Sequence, residues 1–223
     1  MNRDELLTAI LVGCALTTTS VVVFREFHTA SNRPDLILSE KPAYIDGWRD
    51  YMAKGVRIGP SNAPVQVIEF VDFECPSCAS FLKILKDLRD RYPAQIEISV
   101  IHYPLPGHRF AEPAARAAEC AGEQGNFEAM HDLLFAEQGQ LGLKAWGTFA
   151  IEAGVQDYVA FEACMQRRDP VPRVVEGHQL GDQLSIRGTP TVVINGWLLS
   201  RPPSLDEFDR MAKLVLAGGV PAF

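Results

Sequence analysis

The feature that most constrains this chain is a pair of cysteines, Cys75 and Cys78, set where an apolar strand-like run gives way to a helical pattern. Residues 65–71 (VQVIEFV) are apolar on both alternating faces, the mark of a strand covered on both sides. From residue 75 to 92 the period becomes helical. Phe81, Leu82, Leu85 and Leu88 fall on one stripe with Lys83, Lys86 and Arg89 opposite, and Pro93 stops the run. Residues 95–103 (QIEISVIHY) read as a second strand that ends before Pro104 and Pro106. The result is a βαβ unit whose crossover helix starts at the cysteine pair.

From residue 111 to about 184 the periodicity is wholly helical, with segments centred on residues 113–122, 127–137, 143–153, 158–166 and 172–184. Strand character returns at residues 191–194. Asn195-Gly196 between apolar runs then signals a hairpin. A final helix opens on the capping pattern Ser204-Leu205-Asp206-Glu207 and ends at Gly218-Gly219. The order β-α-β, helical insertion at about 111–184, β-β-α is an α/β layout: a thioredoxin-type domain interrupted by helices.

The domain is expected to span residues 61–223. Residues 25–60 read as a linker with a short amphipathic helix around residues 47–54 and a turn at Gly59-Pro60-Ser61-Asn62, so that regular structure begins at Val65. Ahead of that, residues 6–24 carry no charged side chain and approach the ~20 residues needed to cross a bilayer as a helix. Residues 1–24 are therefore expected to be an uncleaved N-terminal transmembrane anchor. The alternative is a cleaved signal, although an apolar signal core is normally about 7–15 residues and no small-x-small cleavage site follows. Flanking Arg3, Arg25 and Arg33 leave the orientation undecided.

A net charge of −7 argues against nucleic acid as a partner. The 223 residues, 47% of them apolar, suffice for one packed domain, and five cysteines are too few for a disulfide-dense scaffold.

A helix N-terminus offers unpaired N–H groups and partial positive charge, which favour a thiolate at Cys75. Pro76 suits the first helical turn, and the spacing lets the two sulfurs bridge and reopen, with Cys75 the more exposed. A Cys-x-x-Cys is also half of a zinc site, but zinc takes four ligands and no second Cys-x-x-Cys follows; His102 and His131 would have to contribute singly. The reading is therefore a redox couple with no metal and no cofactor. Glu69 shares a strand face with Val65, Val67 and Val71, so its carboxyl is expected among apolar side chains as a proton acceptor near Cys78. Asp72 and Glu74 are expected to be solvated, with the Glu74 charge opposing a thiolate at Cys75. His102, His108, His131 and His178 look scattered, in packing or cap roles. Cys120 and Cys164 are either a structural disulfide, in an oxidising compartment, or two buried small hydrophobes.

Residues 59–92 (GPSNAPVQVIEFVDFECPSCASFLKILKDLRDRY) resemble the active-site region of the DsbA-like thiol–disulfide oxidoreductases. The resemblance continues through Tyr103-Pro104-Leu105, His108, residues 114–121 (AARAAECA) and Arg187-Gly188-Thr189-Pro190-Thr191, and covers the chain from about residue 45 onward. It implies a cis-proline at Pro190 facing the cysteines, with Thr189 offering backbone groups to a substrate strand. It also favours a buried acid at Glu69 and a Cys120–Cys164 disulfide. The implied activity is disulfide exchange with thiol- or disulfide-containing protein substrates, with a membrane redox partner recycling the pair. The implied place is extracytoplasmic, tethered to the inner membrane or secreted if the segment is cleaved. Strongly oxidising members carry Pro-His between the cysteines, whereas this chain has Pro76-Ser77, so a weaker oxidase is expected. A reductase or isomerase of the same fold, a tethered binding or chaperone module, and a metal-handling protein are the alternatives.

Overall fold

The computed structural model describes residues 41–221. The expected span at residues 6–24, and the linker as far as residue 40, lie outside the described residues. Among those described, no helix is long and apolar enough to cross a membrane.

Six strands form one sheet: β1 (Ala43–Tyr44), β2 (Val56–Ile58), β3 (Val65–Val71), β4 (Ile96–His102), β5 (Thr191–Ile194) and β6 (Trp197–Leu198), in the order β1-β6-β5-β3-β4-β2. β3 and β4 run parallel, as their helical crossover requires, and the other pairs are antiparallel. Strand alternation divides β3 between two cores. Val65, Val67 and Val71 pack with the helix Pro76–Arg91, through Phe81, Leu82, Leu85 and Leu88, and with the last helix, Leu205–Leu216, through Phe208, Met211 and Ala212. Ile68 and Phe70 face the other way, onto Trp48, Met52, Ile101, Tyr103 and Val193.

That second core is built in part by residues ahead of Val65. Residues 43–58, expected to be linker with a short helix around 47–54, contribute two strands and the helix α1 (Trp48–Lys54), which buries Trp48 and Met52. A sheet apolar on both faces must be covered on both, and Trp48 and Met52, one helical turn apart, supply the lid. β2 and β1 are too short to show a period of two in sequence.

The crossover helix α2 (Pro76–Arg91) is followed by the inserted helices α3 (Ala111–Gly122), α4 (Phe127–Ala136), α5 (Trp146–Glu152), α6 (Tyr158–Met165) and α7 (Pro172–Gln183), and α8 (Leu205–Leu216) closes the described fold. Small side chains make the insertion compact: Ala111, Ala114, Ala115, Ala117, Ala118 and Ala121 are all buried in α3. α7 lies so close to the end of β4 that a Cβ at Gly177 would sit 2.0 Å from the His102 carbonyl oxygen. The β5–β6 turn has positive φ at Asn195 (46°) and Gly196 (90°), as an Asn-Gly hairpin requires. The Asn195 side chain also ties this hairpin to β3, accepting from Gln66 N at 3.1 Å and donating to Pro64 O at 2.8 Å.

Candidate active site

Every element of the site meets at one end of β3. Cys75 is the N-cap of α2, in extended backbone (φ −78°, ψ 116°), and Pro76 fills the first helical position, where its missing N–H costs nothing. Cys78 sits one turn inside the helix and is fully buried, whereas Cys75 keeps 7% of its surface exposed. Both are free thiols. Because β5 pairs with β3 in the register Phe70↔Thr191, the residues just before Thr191 run beside the loop that leaves Phe70. This register brings Thr189 and Pro190 to the cysteines. The Thr189–Pro190 bond is cis, and Cys75 Sγ donates to the Thr189 carbonyl at 3.1 Å. The Thr189 hydroxyl is buried without another partner, available to the sulfur once it ionises.

The two sulfurs are pulled in opposite directions. Cys75 is lowered to about 5, chiefly by a hydrogen bond from Cys78, helped by Thr189 and by the Cys78 and Ser77 amides against the opposing effect of burial. Cys78 is pushed up, first by burial, then by its hydrogen bond to Cys75 and by the Glu69 charge. Glu69, 1% exposed and with Oε1 unpartnered, rises to about 8 through burial and the nearby Cys75 charge. At neutral pH this site therefore holds a thiolate at Cys75, a thiol at Cys78 and a largely protonated carboxyl at Glu69.

Asp72 overturns one expectation. It was expected in solvent, but it is 1% exposed. Its Oδ1 accepts from Glu74 N and its Oδ2 from Leu105 N and His108 Nδ1, each at 2.7 Å, while its carbonyl accepts from Cys75 N at 3.0 Å. Glu74 is half-buried and accepts from Phe110 N, so it too is bound rather than solvated. A carboxylate can be buried here because the turn and the β4–α3 loop present free amides, which no local sequence pattern announces.

Two further residues escaped the sequence reading. Gln138, in the short turn after α4, donates to the carbonyls of Phe73 (2.7 Å) and Cys75 (3.0 Å), closing the active-site loop from the insertion side. His108 joins the loop through Asp72. By contrast, His102 and His131 are buried packing residues around Phe73, whose ring also packs, tilted, against Phe135 at 4.8 Å. In the insertion, Cys120 and Cys164 are joined by a disulfide with Cα atoms 5.7 Å apart. No group of three or more potential metal ligands occurs among the described residues.

A family model described as thioredoxin (Thioredoxin_4) matches residues 52–213, most of the chain and all of the site. The chain belongs to the thioredoxin family. Within it, the helical insertion gives the domain a fold like that of the DsbA-type proteins among the solved structures. It is similar in fold to BdbD of Bacillus subtilis (TM-score 0.64, 23% identity, 75% of this chain and 95% of that one). It is likewise similar to the thiol–disulfide exchange protein α-DsbA2 of Wolbachia pipientis (TM-score 0.65, 16% identity, 74% and 90%). Among curated proteins it is 34% identical to the Na(+)/H(+) antiporter NhaA 1 of Salinispora arenicola, over 86% of this chain but 30% of that protein. The chain thus spans under a third of the length of this relative.

Proposed function

We propose that Cys75 and Cys78 form the redox couple of an extracytoplasmic disulfide oxidase acting on protein thiols. The observation that carries this reading is the opposite pull on the two sulfurs, Cys75 down to about 5 and Cys78 upward. A stabilised Cys75 thiolate favours the reduced protein, and a couple that prefers to be reduced donates its disulfide.

In the first step a substrate thiolate attacks Cys75 Sγ. The Cys75–Cys78 bond breaks, a mixed disulfide forms at Cys75, and Cys78 leaves as a thiolate that takes a proton. Glu69, protonated below about 8 and coupled to Cys78, supplies that proton inside the core. In the second step another substrate thiolate attacks the substrate sulfur of the mixed disulfide, and Cys75 departs as a thiolate. Two substrate thiols have then become a disulfide, and the two electrons reside on the Cys75–Cys78 pair. A membrane redox partner recycles it. Thr189, beside the cis-proline Pro190, pairs with an extended substrate segment through its backbone.

The Cys120–Cys164 bridge supports an oxidising compartment. The uncharged run at residues 6–24 supports a membrane tether. Pro76-Ser77 supports a weaker oxidant than relatives with histidine between the cysteines. A Cys75 value of about 5, against ~3.5 for the strongest oxidants, corresponds to about 2 kcal/mol, or roughly 40 mV below their ~−120 mV. Equilibration with glutathione tests this: a potential near ~−120 mV contradicts the weaker-oxidant reading, and one as negative as the ~−270 mV of thioredoxin makes the protein a reductase. Cys75→Ser is expected to abolish exchange, whereas a binding module keeps its role in that variant.

A further inference from the structure

The Asp72 carboxylate is wholly inaccessible, yet one of its three hydrogen-bond partners is a titratable ring that remains 33% exposed. Through that side chain the turn carrying Cys75 is tied to His108 on the β4–α3 loop, since Cys75 N also bonds to the Asp72 carbonyl. The two backbone amides go to different oxygens, so an Asn would turn its NH2 against one of them and only the carboxylate receives both. The ionised acid adds a site for an imidazolium, beside a Cys-x-x-Cys whose own dipeptide, Pro76-Ser77, carries no cation. Besides Asp72 and Cys75, the Glu74 charge also acts on the ring. Glu74 bonds to Phe110 N, and Arg109, the next residue along, lies over the Phe110 ring at 5.3 Å.

We propose that His108, positioned by Asp72, is the charge that tunes the Cys75 thiolate, acting from the neighbouring loop where the cysteine dipeptide supplies none. The inference rests on the exchange reading above. His108 lies above its ordinary range, first through its hydrogen bond to Asp72 and then through the charges of Asp72, Glu74 and Cys75, with burial opposing. Attraction between imidazolium and thiolate is reciprocal: whatever His108 does to Cys75, ionisation of Cys75 does to His108. Reduction by two glutathione molecules breaks the Cys75–Cys78 bond and forms glutathione disulfide. It leaves a Cys75 thiolate and a Cys78 thiol, and releases one proton. Where His108 is only partly protonated, the new negative charge draws part of that proton onto its ring.

The test uses the full chain without substitution. The His108 ring is titrated by NMR with the pair oxidised by diamide and again with it reduced by dithiothreitol. The expected result is a midpoint higher in the reduced protein by about half to one pH unit, a three- to tenfold gain in proton affinity. Equal midpoints overturn the proposal. In parallel, His108→Gln is expected to raise the thiolate midpoint of Cys75, read from absorbance at 240 nm, by the same factor. His108→Lys restores the lower midpoint and removes the inflection from His108, a rescue that a merely structural role would not allow. An unchanged Cys75 midpoint in folded His108→Gln also overturns it, and if that variant fails to fold the titration of the unsubstituted chain still decides. A protein that never equilibrates with glutathione defeats the exchange reading instead, whereas equilibration with an unlinked His108 defeats this inference alone.

Discussion

Cys120 and Cys164 lie 44 positions apart and are joined, whereas Cys75 and Cys78 lie one helical turn apart and are free. Both pairs are buried in the same hydrophobic core, so burial alone does not separate a structural bridge from a working one. What separates them is the company of each sulfur. Cys75 stands at a helix N-terminus with Thr189, the Ser77 and Cys78 amides and Asp72 nearby, all of which act on its ionised form or hold its backbone. Cys120 stands in the last turn of α3 beside buried alanines, at the helix end whose dipole opposes a thiolate. A disulfide is durable where both thiols would be ordinary, and labile where one of them is not.

Removing the insertion bridge is the sharpest way to break this comparison. Cys120→Ala with Cys164→Ala opens a loop of 44 residues, which the chain-entropy account values at about 4 kcal/mol. Urea denaturation should show a loss of roughly 2–5 kcal/mol, while the Cys75–Cys78 equilibrium with glutathione stays within about twofold. A large change in that equilibrium would mean that the two pairs are energetically one system. Glu69 offers the next largest effect, in the opposite direction. Its value rises from 4.5 to about 8 on folding, so the folded state holds the extra proton. Stability from this group is fully present below about 4.5 and falls as pH rises toward about 8. At pH 7 the loss amounts to about 3 kcal/mol. Glu69→Gln should therefore stabilise the protein by about 1–3 kcal/mol at pH 7, flatten its stability between pH 5 and 8, and slow disulfide exchange by removing the proton donor to Cys78. Unchanged stability at pH 7 would show that the carboxyl reaches water.

How much of this was legible in sequence depends on range. The βαβ unit, the hairpin at Asn195-Gly196 and the capping box at Ser204 and Glu207 are local patterns, and each element lies where its pattern points. Glu69 was legible because strand alternation assigns a face. The helix around residues 47–54 was legible too, but not its use as a lid, because Trp48 and Met52 cover the second face of β3 only once the sheet is assembled. Asp72, His108 and Gln138 were invisible for a stronger reason. Apart from the local bond from Glu74 N to Asp72, their hydrogen bonds span 33, 36 and 63 or more positions of chain, and their partners are backbone groups or one another. An acid flanking a Cys-x-x-Cys looks solvated until the loop that contributes Leu105 N and His108 is folded beside it.

The remaining substitutions adjust the contrast rather than abolish it. Ser77→His places a cation within the dipeptide and should lower the Cys75 midpoint by about one unit, raising the potential by about 30 mV. The insertion pair has no ionised sulfur to respond. Gln138 is the subtlest link between the two regions, because it donates from the short turn after α4 to the carbonyls of Phe73 and Cys75. Gln138→Ala leaves the Cys75 carbonyl with its bonds from the Cys78 and Ala79 amides but takes from Phe73 a donor at 2.7 Å. The expected cost is about 1 kcal/mol, the ordinary net worth of such a bond, with amide exchange at residues 73–75 accelerated several-fold and that of α3 unaffected. If exchange quickens in α3 as well, the insertion and the active-site loop open together, and the helical region is part of the redox machinery rather than its support.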